Sequence, residues 1–186
     1  MFIVKKKYFL IIENIKDIDL KNIKIRNKFS IIYRNKKKID KFSDLLKFRQ
    51  TCKLKGIKFY IANKIDLAIL LKCDGIYLSS FNRDLKFLKY KNLNFKIIGS
   101  AHNLKEVKEK ETQGVKIIFI ASLFRTKKTF LGINKFNLLS NQTNRKIVAL
   151  GGISNDNIKK LRLLKIFGFA GISYFEQKKT APKRGR

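Results

Sequence analysis

Eight short apolar segments, separated by segments of helical character, set the strongest limit on how this chain can fold. Most are continuous apolar runs rather than alternations of apolar and polar residues, as in "KIVAL". A continuous run indicates a strand that is buried on both faces, which is typical of a parallel sheet covered by helices. The predicted strands are Tyr8–Ile12, Phe29–Tyr33, Lys58–Ala62, Gly75–Leu78, Lys96–Gly99, Lys116–Ala121, Lys146–Leu150 and Phe169–Ser173.

Apolar residues recur at helical spacing between several of these strands. The recurring residues are Phe42, Leu45, Leu46 and Cys52 in one segment, Ile65, Ala68, Ile69 and Leu70 in a second, and Ile158, Leu161 and Leu164 in a third. Ser154 precedes the third segment and is predicted to be the N-cap of its helix. Eight strand–helix units are the number that closes a (β/α)8 barrel. We therefore predict an α/β fold, a single-domain TIM barrel over residues 1–176, with shortened helices because the connecting segments are short.

The net charge of +31 is the most unusual property of the composition. Such a charge is typical of proteins that bind nucleic acid or another polyanion. Only nine of the 44 basic residues are arginine, however, although arginine is the residue that forks onto phosphates and guanine edges. The lysines are spread over the whole chain together with many Ile, Asn and Phe residues, which indicates a compositional bias. We do not expect nucleic-acid binding, and a general attraction of anionic small substrates stays open.

Other compositional features exclude further classes. Apolar residues make up 45% of the chain, which excludes general disorder. No apolar run approaches the ~18 residues of a membrane span, and the N-terminus lacks a secretory signal pattern, so no membrane contact is expected. Cys52 and Cys73 lack metal-site spacing and the chain has one histidine, which argues against a zinc site and favours a reduced, cytoplasmic location. The last ten residues, 177–186, hold the only proline and are predicted to be a disordered basic tail.

The stretch "KIVALGGISNDNIKK" raises the question of what two glycines do at the end of a buried strand. Gly151 and Gly152 could form a tight turn that needs positive φ, or could present bare N–H groups to a phosphate. In a (β/α)8 barrel, functional groups gather at the carboxyl ends of the strands, and the loops after strands seven and eight are a frequent phosphate site. Gly171, Ile172 and Ser173 follow strand eight. We therefore predict an anion site formed by these two turns.

Six segments at the predicted strand ends, in order along the chain, resemble the thiamine phosphate synthase and thiazole tautomerase superfamily. The segments are "IIYRNKK", "YIANKIDLAILLKCDGIYLSS", "IIGSAHNLKEV", "FIASLFRTKK", "ALGGI" and "AGIS". The resemblance runs from about Tyr8 to Phe175. It implies a barrel fold, small phosphorylated substrates and a place in thiamine biosynthesis. In the synthases, a pyrimidine methyl diphosphate loses pyrophosphate and the nitrogen of thiazole phosphate captures the resulting cation, whereas the tautomerases move protons on a thiazole carboxylate phosphate.

The resemblance also implies a set of site residues. The candidate catalytic residues are Arg34, Lys36 and His102, and the candidate substrate- and phosphate-binding residues are Ser100, Thr126, Lys127, Lys128, Gly151, Gly152, Ile172 and Ser173. Lys36, Lys127 and Lys128 could instead be ordinary solvated lysines, and His102 could be a packed or capping residue. Ser100 and Ser173 are expected to donate hydrogen bonds to ligand oxygens rather than to act as nucleophiles, because no activating triad is evident.

The chain departs from the synthase pattern at the positions that bind Mg²⁺. The family's Asn-Asp pair after strand three is Ala62-Asn63 here, and its second metal aspartate corresponds to Asn82. A glutamine that precedes the Tyr-Arg pair is Ile32. Amide oxygens bind Mg²⁺ more weakly than carboxylates, so a weak Mg²⁺ site at Asn63 and Asn82 is expected. A synthase is the leading prediction; a metal-independent tautomerase and a catalytically silent phosphate-ligand binder are the alternatives, and no oligomeric state is predicted.

Overall fold

A computed structural model of the chain describes residues 6–23, 28–35, 39–90, 95–125 and 130–171. Eight parallel strands form a closed barrel in which each strand pairs with the next along the chain and the last pairs with the first. The strands are β1 (Lys7–Ile12), β2 (Phe29–Tyr33), β3 (Lys58–Ala62), β4 (Gly75–Leu78), β5 (Lys96–Ala101), β6 (Ile117–Ile120), β7 (Lys146–Leu150) and β8 (Gly168–Gly171). The α-helices are α1 (Phe42–Leu54), α2 (Ile65–Leu70), α3 (Leu104–Thr112) and α4 (Gly132–Ser140). The predicted (β/α)8 fold is confirmed.

The barrel interior is a packed core of alternate strand residues. Phe9, Tyr77 and Phe119 lie at its centre, with ring centroids 4.9 Å apart for Phe9–Phe119 and 5.4 Å for Tyr77–Phe119, both edge to face. The other strand residues point outward and pack beneath the helices in two further clusters. Because both faces of each strand are covered, the strands are continuous apolar runs in the sequence.

The helices contribute fewer buried residues than the apolar spacing predicted. In α1, Leu45 and Cys52 are fully buried, but Phe42 is 48% exposed. In α2, Ala68 is buried whereas Leu70 is 66% exposed. A short helix turns only part of its surface toward a curved barrel, so apolar residues outside that narrow stripe remain in solvent. The two cysteine thiols are free and buried, and burial raises the pKa of each to about 12.

Several connections are reduced to 3-10 helices, at Ile15–Asp17, Leu20–Asn22, Lys86–Tyr90 and Ile158–Leu163. The expectation that Ser154 caps a last α-helix is wrong. The 3-10 helix Ile158–Leu163 begins after Asn157, whose Oδ1 accepts the N–H of Ser154 (3.0 Å) and whose Nδ2 donates to the carbonyl of Gly152 (2.7 Å). The Asn157 side chain therefore stabilises a turn before the helix, as asparagine often does in competition with helical bonding. Ile158, Leu161 and Leu164 are buried, as their spacing indicated.

The predicted ends of the strands agree closely with the structure. Four strands have the predicted bounds, β5 extends two residues further to Ala101, and β6 is one residue shorter at each end. Residues 172–186 lie outside the described part of the chain. They include the predicted end of β8 at Ser173, the last residues of the predicted domain and the predicted tail at 177–186. Within the described part of the chain, no helix has the length and apolar character needed to cross a membrane.

Candidate active site

The carboxyl ends of the strands gather most of the predicted site residues that the structure describes. Arg34, Ser100, His102, Gly151 and Gly152 lie in or directly after strands at this edge. Asn63 follows β3, and Asn82 lies in the loop after β4. Lys36, Thr126, Lys127, Lys128, Ile172 and Ser173 lie outside the described residues. Parallel strands of a closed barrel all end at one rim, which is why side chains distant in sequence meet here.

His102 is held by Glu106 at the junction of β5 and α3. Glu106 Oε2 accepts the main-chain N–H of His102 (2.7 Å) and lies 2.9 Å from its Nδ1. Asn103 is the N-cap of α3, and its Oδ1 accepts the N–H of Glu106 (2.9 Å). The His102 side chain is 52% exposed, so the ring reaches solvent at the rim. Sequence analysis missed Glu106, although "HNLKE" contains the Asn-x-x-Glu spacing of a capping motif.

Two buried polar atoms near this end of the barrel, Arg34 Nε and Tyr77 Oη, lack hydrogen-bond partners among the described residues. Neither Arg34 Nε nor Tyr77 Oη has such a partner in the structure as described. Burial raises the pKa of Tyr77, while Ser100 and Arg34 act in the opposite direction, so both side chains lie near the hydroxyl. Ala62 pairs with Tyr77 in the sheet. Sequence analysis missed Tyr77, which lies inside the apolar run "GIYL".

Asn63 and Asn82 meet in a network of amides. Asn63 has φ of +59°, a conformation that asparagine tolerates better than most residues. Its Nδ2 donates to Ser79 Oγ (2.8 Å), and its Oδ1 accepts the N–H of Ser79 (3.0 Å) and the Nδ2 of Asn82 (3.3 Å). The two residues that the sequence suggested as metal ligands therefore contact each other directly.

Lys110 and Gln113 of the α3 segment continue this network behind Asn82. Gln113 Nε2 contacts the Asn82 carbonyl (3.0 Å) and Asn82 Oδ1 (3.2 Å), and Lys110 Nζ donates to the Asn82 carbonyl (2.5 Å) and to Gln113 Oε1 (2.8 Å). Lys110 is fully buried, and desolvation lowers its pKa to about 8. Neither residue was predicted from the sequence as part of the site, because the helical pattern places charged and polar residues on the solvent side.

The described donor set does not fit Mg²⁺. Mg²⁺ prefers a near-octahedral shell of oxygens that usually includes carboxylates. Asn63 Oδ1 and Asn82 Oδ1 are neutral; Asn63 Oδ1 accepts from two donors, and Asn82 Oδ1 accepts from Asp84 N–H and shares Gln113 Nε2 with two main-chain carbonyls. No group of three or more His, Cys, Asp or Glu residues that could hold a metal ion occurs among the residues described.

The Gly151–Gly152 turn is shaped by the neighbouring loop after β6. Gly151 and Gly152 have φ of +98° and +68°. A Cβ on Gly151 would collide with Ser122 Oγ, and a Cβ on Gly152 would lie 2.7 Å from the carbonyl oxygen of Phe124. The loop is held there because Phe124 N–H donates to the Gly151 carbonyl (3.1 Å). The turn therefore needs glycine for backbone reasons, whether or not its N–H groups also bind a phosphate.

The fold and this rim define a TIM barrel with its candidate active site at the carboxyl ends of the strands. The chain belongs to the family described as thiamine monophosphate synthase, which matches residues 3–175, and the family resemblance of the six segments is confirmed. It is 31% identical over 121 residues to a thiamine-phosphate synthase of Methanococcus vannielii, covering 62% of this chain and 58% of that protein. It is 29% identical over 133 residues to a thiamine-phosphate synthase of Clostridioides difficile, covering 69% and 63%.

Structural similarity supports the same fold. A thiamine phosphate pyrophosphorylase from Pyrococcus furiosus superposes with a TM-score of 0.71 at 21% identity, covering 91% of this chain and 86% of that one. A thiamine phosphate pyrophosphorylase from Bacteroides thetaiotaomicron has a TM-score of 0.63 at 15% identity, covering 97% and 89%. The sequence matches to the two synthases above span about three fifths of those relatives' length.

Proposed function

We propose that this chain is an enzyme of thiamine biosynthesis that joins a pyrimidine methyl diphosphate to thiazole phosphate and releases pyrophosphate. The C–O bond of the diphosphate ester breaks, and its electron pair leaves with the pyrophosphate oxygen. The lone pair of the thiazole nitrogen then forms the new C–N bond to the methylene carbon. Membership of the thiamine monophosphate synthase family supports this proposal. The proposed substrates are small phosphorylated molecules rather than nucleic acid.

Arg34 carries the proposal. It directly follows β2 at the rim, and its Nε is buried without a hydrogen-bond partner in the described chain. A guanidinium in this position is available to an anionic oxygen and binds it through charge-assisted hydrogen bonds. We assign to Arg34 the stabilisation of negative charge that develops on the departing pyrophosphate, which is the step at which preorganised donors have most effect. Lys36, Lys127 and Lys128 are proposed to share this charge.

The glycine turn and Ser100 are assigned to the second substrate. Gly152 N–H, together with Ile172 or Ser173 N–H, is proposed to bind the phosphate of thiazole phosphate, since N–H groups of glycine turns form anion sites. Ser100 ends the interior face of β5 beside Tyr77 and is proposed to donate a hydrogen bond to a ligand oxygen.

The experiment that tests this function is a condensation assay with both substrates and detection of thiamine phosphate. Arg34→Ala is expected to lower kcat/KM by about 100-fold or more, the scale of one lost transition-state contact. Arg162→Ala is the matched control, because Arg162 is exposed on the 3-10 helix before β8. Product formation that is equal in the parent and in Arg34→Ala would contradict the proposal.

The His102–Glu106 pair favours a second candidate function, a thiazole tautomerase. An imidazole oriented by a carboxylate and exposed at a barrel rim is suited to moving a proton between ligand atoms. In this function His102 Nε2 takes a proton from one ring position of a thiazole carboxylate phosphate and returns it to another. Tautomerisation that persists in EDTA while condensation is absent would favour this candidate. Binding of thiazole phosphate without either turnover would identify the chain as a silent binder.

A further inference from the structure

We infer that the rim between β3 and β4 is closed by an amide–lysine cluster that takes the place of a divalent cation. The cluster consists of Asn63, Ser79, Asn82, Lys110 and Gln113. It departs from the weak Mg²⁺ site that the sequence suggested at Asn63 and Asn82. In this chain the two residues are bridged by a hydrogen bond between side chains instead of by a shared ion.

The hydrogen-bonding capacity of the two amide oxygens is the first argument. An amide oxygen has two lone pairs. Asn63 Oδ1 accepts from Ser79 N–H (3.0 Å) and Asn82 Nδ2 (3.3 Å). Asn82 Oδ1 accepts from Asp84 N–H (3.1 Å) and lies 3.2 Å from Gln113 Nε2, whose two protons are shared with the main-chain carbonyls of Asn82 (3.0 Å) and Asp84 (2.9 Å). A cation would have to displace a donor from Asn63 Oδ1, and neither amide would supply the negative charge that repays the dehydration of Mg²⁺.

The orientation of Asn82 is the second argument. Two ligands of one ion must both turn oxygen toward it. Asn82 turns its Nδ2 toward Asn63 and its Oδ1 away, toward Gln113. The amide N–H group, which carries partial positive charge, therefore occupies the direction in which a shared cation would be found.

Lys110 is the third argument. Its side chain passes over Gly99, where a Cβ would lie 3.2 Å from Lys110 Cδ, and is completely shielded from solvent. Its ammonium group donates to the main-chain carbonyl of Asn82 (2.5 Å). A buried ammonium is costly unless hydrogen-bonded, and here the bonds hold the β4 loop in position. A fixed positive charge in contact with Asn82 also repels a second cation at the same residue.

The consequence for catalysis rests on the proposed function. If the chain releases pyrophosphate, the compensating charge comes from side-chain cations such as Arg34 rather than from an ion at this rim. The binding of Mg²⁺ itself can be measured without any substrate, so the inference is tested separately from the reaction.

The experiment is a calorimetric titration of Mg²⁺ into the full chain and into Asn63→Asp/Asn82→Asp, with melting temperatures recorded in parallel. The parent is expected to show no saturable binding at this rim. The double variant places two carboxylates face to face, so it is expected to bind Mg²⁺ and to gain about 5–10 °C in Tm when the ion exceeds Kd a hundredfold. Asn141→Asp/Asn144→Asp, at exposed positions, is the control for the same change in net charge.

Each result of the Mg²⁺ titration either supports the inference or overturns it. Saturable binding in the parent that Asn63→Ser abolishes would overturn it, whereas binding that survives Asn63→Ser belongs to another site and agrees with it. Absence of binding in the parent, in the folded double variant and in the double variant that also carries Lys110→Met, which removes the repelling ammonium, would overturn it, because the rim would then not correspond to a cation site at all. If the double variant does not fold, Asn82→Asp alone is titrated, and a smaller gain of Mg²⁺ affinity over the parent is expected because only one carboxylate is added.

Discussion

Glu106 contacts His102 through one carboxylate oxygen at two points, the main-chain N–H (2.7 Å) and the ring Nδ1 (2.9 Å). A carboxylate can only accept, so the contact at Nδ1 requires a proton on that nitrogen. The neutral ring then carries its lone pair on Nε2, which points away from Glu106. The Glu106 carboxylate is itself held by the N-cap Asn103, whose Nδ2 donates to Glu106 Oε1 (3.2 Å), so the helix start determines the orientation and the tautomer of the imidazole.

Glu106→Ala should release this tautomer. The chain has a single histidine, so a ¹H–¹⁵N NMR spectrum of the imidazole reports on His102 alone. At a pH where the ring is neutral, the parent is expected to show the Nδ1–H form, and the variant a mixture of both forms. Glu109→Ala, on the same helix but facing Arg83, should leave the spectrum unchanged. The same tautomer in the parent and in Glu106→Ala would show that Glu106 does not set it.

Tyr77→Phe and Tyr33→Phe should change stability in opposite directions. Tyr77 Oη is buried without a hydrogen-bond partner in the described structure, so its removal relieves a desolvation penalty while the ring keeps its contact with Phe119. Tyr33 Oη donates to Asp40 Oδ2 (2.9 Å) and accepts the N–H of Asp40 (3.0 Å). We expect a gain of up to about 1 kcal/mol for Tyr77→Phe and a loss of about 1–3 kcal/mol for Tyr33→Phe. Urea unfolding measures both, and a loss for Tyr77→Phe would show that its hydroxyl is satisfied in solution.

The fold was predictable because burial on both strand faces leaves a strong mark on the sequence. β2, β3, β4 and β7 have the predicted bounds, since each is a mainly apolar run ended by Arg34, Asn63, Ser79 or glycine. The last helical segment was predicted less well. Ile158, Leu161 and Leu164 fit both an α-helix and a 3-10 helix, and the bonds of Asn157 to the preceding turn are tertiary details that spacing does not reveal.

The sequence predicted where the candidate site lies in the barrel, but not which residues contact its members. Strand ends identified Arg34, His102 and Gly151–Gly152 because a barrel brings all such ends to one rim. The partners were missed for a physical reason. Glu106 and Lys110 lie among the charged residues of an ordinary amphipathic helix, and only the packing of α3 against β5 turns one toward His102 and buries the other.

Gly152→Ala and Gly56→Ala separate crowding from backbone strain. Both glycines have similar positive φ, +68° and +65°. A Cβ on Gly152 would lie 2.7 Å from the carbonyl of Phe124, whereas a Cβ on Gly56 would meet nothing within 4 Å. Each variant should lose about 1 kcal/mol from the conformation, and Gly152→Ala a further 1–3 kcal/mol from overpacking. Equal losses of unfolding free energy in the two variants would contradict the close approach of Gly152 to the Phe124 carbonyl.

Gly152→Val would meet the same carbonyl. A loss of thiazole phosphate binding in that variant must therefore be corrected for the fraction of the protein that is unfolded.

Lys110→Met should remove a rise in stability between pH 8 and 10.5. Burial lowers the pKa of Lys110 from 10.5 in the unfolded chain to about 8 in the folded one. In this window the unfolded state binds more protons than the folded state, so the free energy of unfolding rises with pH, by about 3 kcal/mol for a shift of this size. The neutral amine retains two N–H donors, enough for its bonds to the Asn82 carbonyl and Gln113 Oε1. Glu106 and Glu109 favour the charged form of Lys110 and Arg83 opposes it, and all three remain in the variant.

Urea unfolding at pH 7.5 and pH 10.3 measures the effect. The increase in the free energy of unfolding between these pH values should be smaller in Lys110→Met than in the parent, while Lys105→Met, at an exposed position of α3, should behave like the parent. An equal increase in the parent and in Lys110→Met would show that the ammonium group of Lys110 is not desolvated in solution.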